Sequence, residues 1–354
     1  MKMKTKISAE IVAHSVNLQG DEIISVLATF PRIILAEVNT HRMLSKNTSS
    51  SRAIPFAKMV ETIQNDPFIP IAWQRSHSGM QGSEYFISLA EINYHEKDWL
   101  DARDYAVTQA TNISEVGKVT KQLANRLLEP FMWTTMLITG PKSGWDNFFN
   151  LRCPSYAVST GAETKAHFRS KKDFFTAYPD ATPPLEDLDW FYINEGQAEI
   201  HIMALAECIW DAVNESDPKV LEAGEWHIPF GDNIGRFADI ILDSEVTSLE
   251  LESNILLNKI KTSVAIAART SYTVVGEEKG MDYEKMIALH DRLLAQDPPH
   301  SSPLEHCARA MSQAERLLYR KVEKTKDDSE GLGWCNNLKG FIPYRYIIDN
   351  SLSL

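Results

Sequence analysis

The sequence predicts an α+β fold, a sheet flanked by long helices, and three observations predict it. A run rich in β-branched and aromatic residues occupies 23–38, a second extended segment occupies 131–139, and apolar residues recur at helical spacing over 84–128 and 197–213.

In chain order, residues 23–38 read as strands around Pro31, with Val26, Phe30, Ile33, Ile34 and Val38 as their apolar content. Residues 55–64 read as a helix, and a loop follows with Pro67, Pro70 and the run Ser78-Gly-Met-Gln-Gly82. Within 84–128, Ala124, Leu127 and Leu128 fall on one helical face, and Pro130 marks the stop. The extended segment 131–139 runs up to Gly140-Pro141, and a short helix is expected over 145–151. Residues 153–195 hold Pro154, Pro179, Pro183 and Pro184, the mixed run Arg169-Ser-Lys-Lys-Asp173 and the acidic Glu186-Asp-Leu-Asp189. They show little periodicity and read as an insertion in one domain spanning 1–354. From 197 to 213, Ile200, Ala204, Cys208, Ile209 and Ala212 repeat as one helix face. The last third opens with helices, reaches His300 after a proline pair, and ends at Tyr344-Arg345-Tyr346 in an expected strand.

Composition narrows the function. With 354 residues, 44% hydrophobic and 24% charged, the chain has the length and balance of a globular protein with a sizeable core. A net charge of −12 argues against a general nucleic-acid surface, so an anionic ligand must be met by local arginines, and a mononucleotide fits better than a polymer. Cys153, Cys208, Cys307 and Cys335 are scattered without CxxC pairing, which suits a reducing compartment and neither a disulfide framework nor a zinc ribbon. The basic start lacks a following apolar stretch, and no run reaches the length of a membrane span. The expectation is a soluble, cytoplasmic protein with no membrane partner.

The segment 39–52, Asn-Thr-His-Arg-Met-Leu-Ser-Lys-Asn-Thr-Ser-Ser-Ser-Arg, is the most informative. Hydroxyls, backbone N–H groups and two guanidinium forks crowd into it, the groups needed to hold a phosphate together with a flat heterocycle. A polar surface loop with a helix-capping serine cluster is the plain alternative. Thr40-His41-Arg42 followed by Ser45, Asn47, Ser50 and Arg52 resembles the signature of flavin-dependent thymidylate synthases, which is Arg-His-Arg, then Ser, Asn-Glu, Ser and Arg at fixed offsets. Thr40 stands where that signature has its first arginine and Thr48 where it has a glutamate.

Other segments resemble the same family in a rotated order. Arg126 in Asn-Arg-Leu-Leu-Glu-Pro130, Asn147 with Leu151-Arg152, and Gln197-Ala-Glu-Ile200 are similar to elements that follow the signature in the family. Ala267-Ala-Arg-Thr-Ser-Tyr272 and His300-Ser-Ser-Pro-Leu-Glu-His306 are similar to elements that precede it there, yet they trail it here. A circular permutation explains that order, and compact folds tolerate one when their termini lie close. The resemblance omits roughly 60–110, 153–195 and 215–260.

What the resemblance implies can be stated residue by residue. Arg152 would grip the pyrimidine carbonyls and stabilise charge on the ring as C5 becomes nucleophilic, although at a helix end it could equally be a cap. Arg126 would reach the nucleotide phosphate, from a neighbouring subunit, together with Arg52, Ser50 and Ser51. Glu37, Thr48 and Ser49 would complete the nucleotide contacts, with Glu37 at a position that is often glutamine. Thr40, His41, Arg42, Asn147, His300, Ser302 and Glu305 would contact FAD. The implied protein is an FAD-dependent methyltransferase, a homotetramer, moving the methylene of methylenetetrahydrofolate to C5 of dUMP with NADPH as reductant, to give dTMP.

Alternatives stay open. Thr40 and Thr48 could accompany hydroxymethylation of dUMP or use of dCMP, or the chain could bind flavin and nucleotide without catalysis. An unrelated helical interaction protein would bind neither. His300, Glu305 and His306 could form a metal site, but Glu305 and His306 are adjacent and no third strong ligand is near in sequence. Cys153 reads as a buried thiol rather than a nucleophile of the kind that cysteine-dependent thymidylate synthases use on C6. No chemistry attaches to Glu225-Trp226-His227.

Overall fold

Two-residue alternation in one strand sets the architecture. The computed structural model describes residues 5–78, 84–159, 164–180, 187–232, 234, 248–272, 282–320 and 331–352. β1 (Ser8–Asn17) and β2 (Glu22–Pro31) form an antiparallel hairpin, and β3 (Ser45–Thr48) and β4 (Trp133–Pro141) extend it. The hairpin of β5 (Tyr156–Ser159) and β6 (Lys165–Phe168) stands apart. β7 (Lys219–Leu221) joins β1 in parallel, so the main sheet has five strands in the order β3-β4-β2-β1-β7.

On β2, Ile24, Val26, Ala28 and Phe30 point to one face, opposite Gly140, Ile138, Met136 and Thr134 of β4. The helix Lys142–Arg152 covers this face with Trp145, Phe148 and Phe149, and the helix Ile200–Asn214 covers it with Ile202, Leu205, Ala206 and Ile209. Each large apolar side chain buried there contributes about 1.5–3 kcal/mol. Glu199 caps the second helix by accepting from the N–H groups of His201 and Ile202.

The other face is packed by a second layer. It holds β8 (Trp226–His227), β9 (Ala308–Ala310), the hairpin β10 (Trp334–Cys335) and β11 (Leu338–Lys339), and β12 (Phe341–Pro343), with the helix Ser248–Arg269 behind. Gly340 turns the chain between β11 and β12 at φ +75, and a Cβ there would collide with Asn17 and Asp21.

Several segments depart from the sequence expectations. β1 carries no expectation at all. Only 23–31 of the 23–38 run is strand: Pro31 is its last residue, Arg32–Ile34 is a 3₁₀ turn and Leu35–Asn39 a helix. Ile34 and Val38 are buried while Ile33 and Ala36 are exposed, so a helical spacing lies hidden in a β-branched run. The 84–128 stretch divides into the helix Leu89–Thr111 and its π-turn, the short helix Lys121–Ala124, and the 3₁₀ segment Asn125–Phe131, broken at Gly117 and at Lys118 with φ +56. Leu127 is exposed there while Ala124 and Leu128 are buried. The strand β4 starts at Trp133, later than the expected 131, and includes Gly140 and Pro141 as its last residues. Tyr344–Asp349 is a helix because Pro343 supplies its N-cap position and Tyr344 and Ile347 share the buried side.

The segment 153–195, expected to be an insertion with little periodicity, is structured where it is described. Tyr156, Phe174 and Trp190 form an aromatic cluster, with Val158, Phe168, Phe175 and Ile193 packed around it. Aromatic edge-to-face packing replaces the aliphatic periodicity that would have been readable in sequence. Residues 79–82 of the expected loop, and Pro183, Pro184 and Glu186, lie outside the described residues. No described helix is long and apolar enough to cross a membrane.

Candidate functional site

The helix Leu35–Asn39 delivers the chain into the signature segment. The Thr40 hydroxyl donates to the Glu37 carbonyl at 2.6 Å, which closes the helix and turns His41 inward. His41 is buried and meets Phe148 edge-on at 4.9 Å between ring centroids. Arg152, at the end of the helix that carries Phe148, donates from Nε to Nε2 of His41 at 3.1 Å and from Nη2 to the Thr40 hydroxyl at 3.5 Å. Residues 111 apart in sequence therefore meet in one contact.

That contact fixes a tautomer. Since Nε of Arg152 can only donate, Nε2 of His41 carries no proton and the ring is the neutral Nδ1–H form. Burial, then the charges of Arg152 and Lys46, hold the His41 pKa down to about 4. Lys46 donates to the carbonyls of His41 and of Leu44, the latter at 3.0 Å, and burial lowers its pKa to about 8. Two cations, Arg152 and Lys46, thus flank a neutral imidazole. Lys46 occupies a variable position of the signature, and nothing in its sequence context singles it out.

Alternation along β3 separates the next residues. Ser45 and Asn47 point to the inner face, while Lys46 and Thr48 point away. Asn47 begins a buried chain of hydrogen bonds across the sheet. Its Nδ2 donates to the Ala267 carbonyl at 3.4 Å, which leaves Oδ1 to accept from Nε2 of His306 at 3.3 Å. Nδ1 of His306 then accepts from the Thr139 hydroxyl at 2.8 Å. Thr139 accepts from Ser25 at 2.6 Å, and Ser25 accepts from Nε2 of His227 at 2.8 Å. Nδ1 of His227 accepts from Ser15 at 2.9 Å. A backbone carbonyl at one end forces every proton in the chain to point the same way. Burial drives both histidines to a pKa of about 3, so both are neutral. Sequence reasoning attaches no chemistry to His227 and weighs His306 only as a metal ligand and as the end of the 300–306 segment; the role of both in this buried chain depends on partners distant in sequence.

The serine-rich turn divides its groups. The Ser49 hydroxyl lies 2.7 Å from that of Thr134, and Ser51 donates to Glu129, so both are buried and committed to the scaffold. Arg32 donates to the Ser49 carbonyl at 2.7 Å, and Asn125 donates to the Ser51 carbonyl at 2.6 Å. The Ser50 N–H donates to the Ser271 carbonyl at 2.8 Å, which joins the turn to 267–272. Ser50 and Thr48 are half-buried, and Arg52 is exposed. Arg126 is exposed and lies 3.9 Å from Glu129, beside the same turn.

Of the remaining residues Glu305 lines a cleft and Arg42 lies beside it. Arg42 is exposed, and its carbonyl accepts from Asn337 at 3.2 Å. Asn337 lines a cleft of about 510 Å³ with Ser45, Glu305 and Arg345, and Arg345 pairs with Glu305. His300 is exposed, with Nε2 at 3.4 Å from the Ser302 hydroxyl. Asn147 is exposed on the side of its helix away from Phe148. Glu37 is half-buried, and its Oε2 is buried without a hydrogen-bond partner. Cys153 is buried, its thiol pushed up to about 12, chiefly by burial. Among the described residues no group of three His, Cys, Asp or Glu side chains is placed to hold a metal.

No protein-family model matches the chain, and no curated protein matches it. Among solved structures it is similar to the UMP/dUMP methylase PolB from Streptomyces cacaoi bound with 5-Br dUMP, at TM-score 0.40 and 11% identity over 61% of this chain and 93% of that one. The same methylase bound with 5-Br UMP gives TM-score 0.35 and 15% identity over 47% and 84%. The flavin-dependent thymidylate synthase ThyX from Helicobacter pylori, complexed with FAD and dUMP, gives TM-score 0.28 and 14% identity over 54% and 67%.

Proposed function

We propose that this chain is a flavin-dependent pyrimidine nucleotide methyltransferase of the thymidylate synthase type, permuted in sequence. It would act on dUMP with methylenetetrahydrofolate and NADPH, in one domain carrying the 153–195 insertion, as a homotetramer in the cytoplasm. The observation that carries this reading is convergence. Asn47 meets His306 across 259 residues and the Ala267 carbonyl across 220, Ser50 meets Ser271, and His41 meets Arg152. Segments that resemble one family piecewise, in rotated order, are neighbours in space.

The residues fit an anionic, flat cofactor. Arg42 and Asn147 are exposed donors, and no ion pair engages Arg42 among the described residues. Bound FAD would supply the hydride that completes the methyl group. Thr40, Arg42, Asn147, His300, Ser302 and Glu305 would hold it, with His41 supporting Thr40 and Arg152 from behind. Arg152 would orient the base and stabilise charge on its carbonyls through the guanidinium nitrogens that His41 does not take. Ser50, Thr48, Arg52 and Arg126 would bind the nucleotide, with Ser49 and Ser51 shaping the turn and Glu37 beside it. Neutral His41 presents no proton at Nε2, so the acid–base work falls elsewhere.

The test is a product assay on the FAD-loaded protein with methylenetetrahydrofolate and NADPH, given dUMP or dCMP and read by mass spectrometry. A methyl gain on dUMP supports the reading. With Thr40 and Thr48 in place of an arginine and a glutamate, hydroxymethylation is the second reading, and a hydroxymethyl gain would select it. Bound flavin and nucleotide with no product would leave a binding protein.

A further inference from the structure

We infer that the cleft between Arg32 and Arg126 is a phosphate subsite in which Arg32 is a binding residue and Glu129 an internal counter-charge that sets the affinity. For the identity of its ligand as a nucleotide this rests on the function proposed above; for its chemistry it does not. Arg32 lies outside the segments that carry the family resemblance, whereas Glu129 shares the segment 125–130 with Arg126.

The cleft has a volume of about 530 Å³, with Arg32, Arg126, Glu129 and Asn39 as its polar lining and Ile33 and Leu35 among its apolar walls. Two guanidiniums share one carboxylate oxygen there. Oε1 of Glu129 lies 3.3 Å from Arg32 and 3.9 Å from Arg126, and it also accepts from Ser51. The cluster therefore carries a surplus positive charge in a protein of net charge −12. The Arg126 contact is long and its side chain is 53% exposed, so an anion can take that guanidinium at little cost.

Arg32 is the more constrained partner. Its side chain is 14% exposed, and its Nε–H is buried without an acceptor. Burial lowers its pKa; Glu129 opposes that, and the Arg126 charge adds to it. An Arg32 N–H without an acceptor, with a second guanidinium beside it, favours an anion with several oxygens, and a phosphate monoester supplies them at the right spacing for a guanidinium fork. Arg32 also holds the Ser49 carbonyl, so the cleft and the turn leading to Arg52 are fixed to each other.

Glu129→Gln is the diagnostic variant. Glutamine still offers an oxygen to Arg32 and Ser51 but removes the competing charge. The full chain is titrated with inorganic phosphate, dUMP and deoxyuridine while the arginine Nε–H resonances and the affinities are followed. Phosphate and dUMP should move the Arg32 resonance, and Glu129→Gln should tighten both by about three- to tenfold at low salt, with deoxyuridine unchanged. Arg126→Met and Arg32→Lys should each weaken phosphate. An Arg32 resonance indifferent to phosphate, or Glu129→Gln binding phosphate no better than the parent, overturns the inference. Phosphate bound without any preference for dUMP over a phosphate ester lacking a base would keep the subsite and remove the nucleotide reading. A dUMP complex silent at Arg32 and Glu129 would do the reverse.

Discussion

Replacing Thr139 with valine cuts the buried hydrogen-bond chain at its centre while keeping side-chain volume. Thr139 is fully buried; its hydroxyl donates to Nδ1 of His306 and accepts from Ser25. Valine leaves a bare imidazole nitrogen and a hydroxyl proton without partners, and neither site is open to water. Each such group costs about 1–3 kcal/mol, so the variant should lose about 2–6 kcal/mol. A domain of ordinary stability has roughly 5–15 kcal/mol in total. Thr139→Ser keeps both bonds and removes one methyl, for about 0.5–1.5 kcal/mol. Urea unfolding followed by tryptophan fluorescence separates the two, with a lower midpoint for Thr139→Val and an unchanged slope. Nitrogen NMR on the parent should find both His306 and His227 protonated at Nε2 and bare at Nδ1. Equal midpoints for the two variants, or an Nδ1–H form of either ring, would refute the directed chain.

Acid should destabilise the fold through the same pair. His227 and His306 have native pKa values of about 3 against an ordinary 6.5, so below 6.5 the unfolded chain takes up protons that the native state refuses. Stability is then lost progressively as pH falls from 6.5 towards 3, by about 2 kcal/mol per histidine at pH 5, measurable as a falling urea midpoint. Arg152→Met should lower dUMP turnover by about 10²–10³-fold and raise the His41 pKa above about 4, read by NMR titration, with burial still holding it below 6.5. Trp190→Ala, which removes the centre of the aromatic cluster it forms with Tyr156 and Phe174, should cost about 3–5 kcal/mol locally. It should speed hydrogen exchange over 156–195 while β2 and β4 stay protected. Gly340→Ala should cost about 1–2 kcal/mol or more, because φ +75 disfavours a Cβ and Asn17 and Asp21 occupy its place; thermal unfolding would show it.

The long, strongly periodic elements were legible in the chain. The helices near 55–64 and 197–213 and the strands near 23–31 and 131–139 stand close to where their patterns place them. Where reading failed, a local pattern was overridden by a partner distant in sequence. Ile33 and Ile34 look like strand residues until β4 takes the pairing only as far as Pro31. The segment 153–195 looked shapeless because aromatic side chains hold it, and edge-to-face rings impose no simple repeat. The site was legible only as a motif. Its composition offered hydroxyls and guanidiniums for a phosphate, but the burial of His41, the use of Ser49 and Ser51 as scaffold, and the place of Lys46 follow from strand alternation and from Arg152 arriving from another helix.

The polar chain also explains how a short strand finds its place. β3 has four residues and lies at the edge of the sheet, where few backbone pairs specify its register against β4. A slip of one residue would turn Asn47 to the apolar face and put Lys46 where His306 needs an acceptor. The correct register, Ser45 opposite Thr139 and Asn47 opposite Leu137, satisfies His306 and the Ala267 carbonyl together. An aliphatic face would have packed as well but would have tolerated the slip, since apolar contact is not directional. Burying Ser15, Ser25, Thr139 and Asn47 makes the wrong register costly instead, because each would leave unpaired polar groups. The same register sets His41 on one side of the strand and Ser50 on the other, so the precision of the candidate site is inherited from the sheet beneath it.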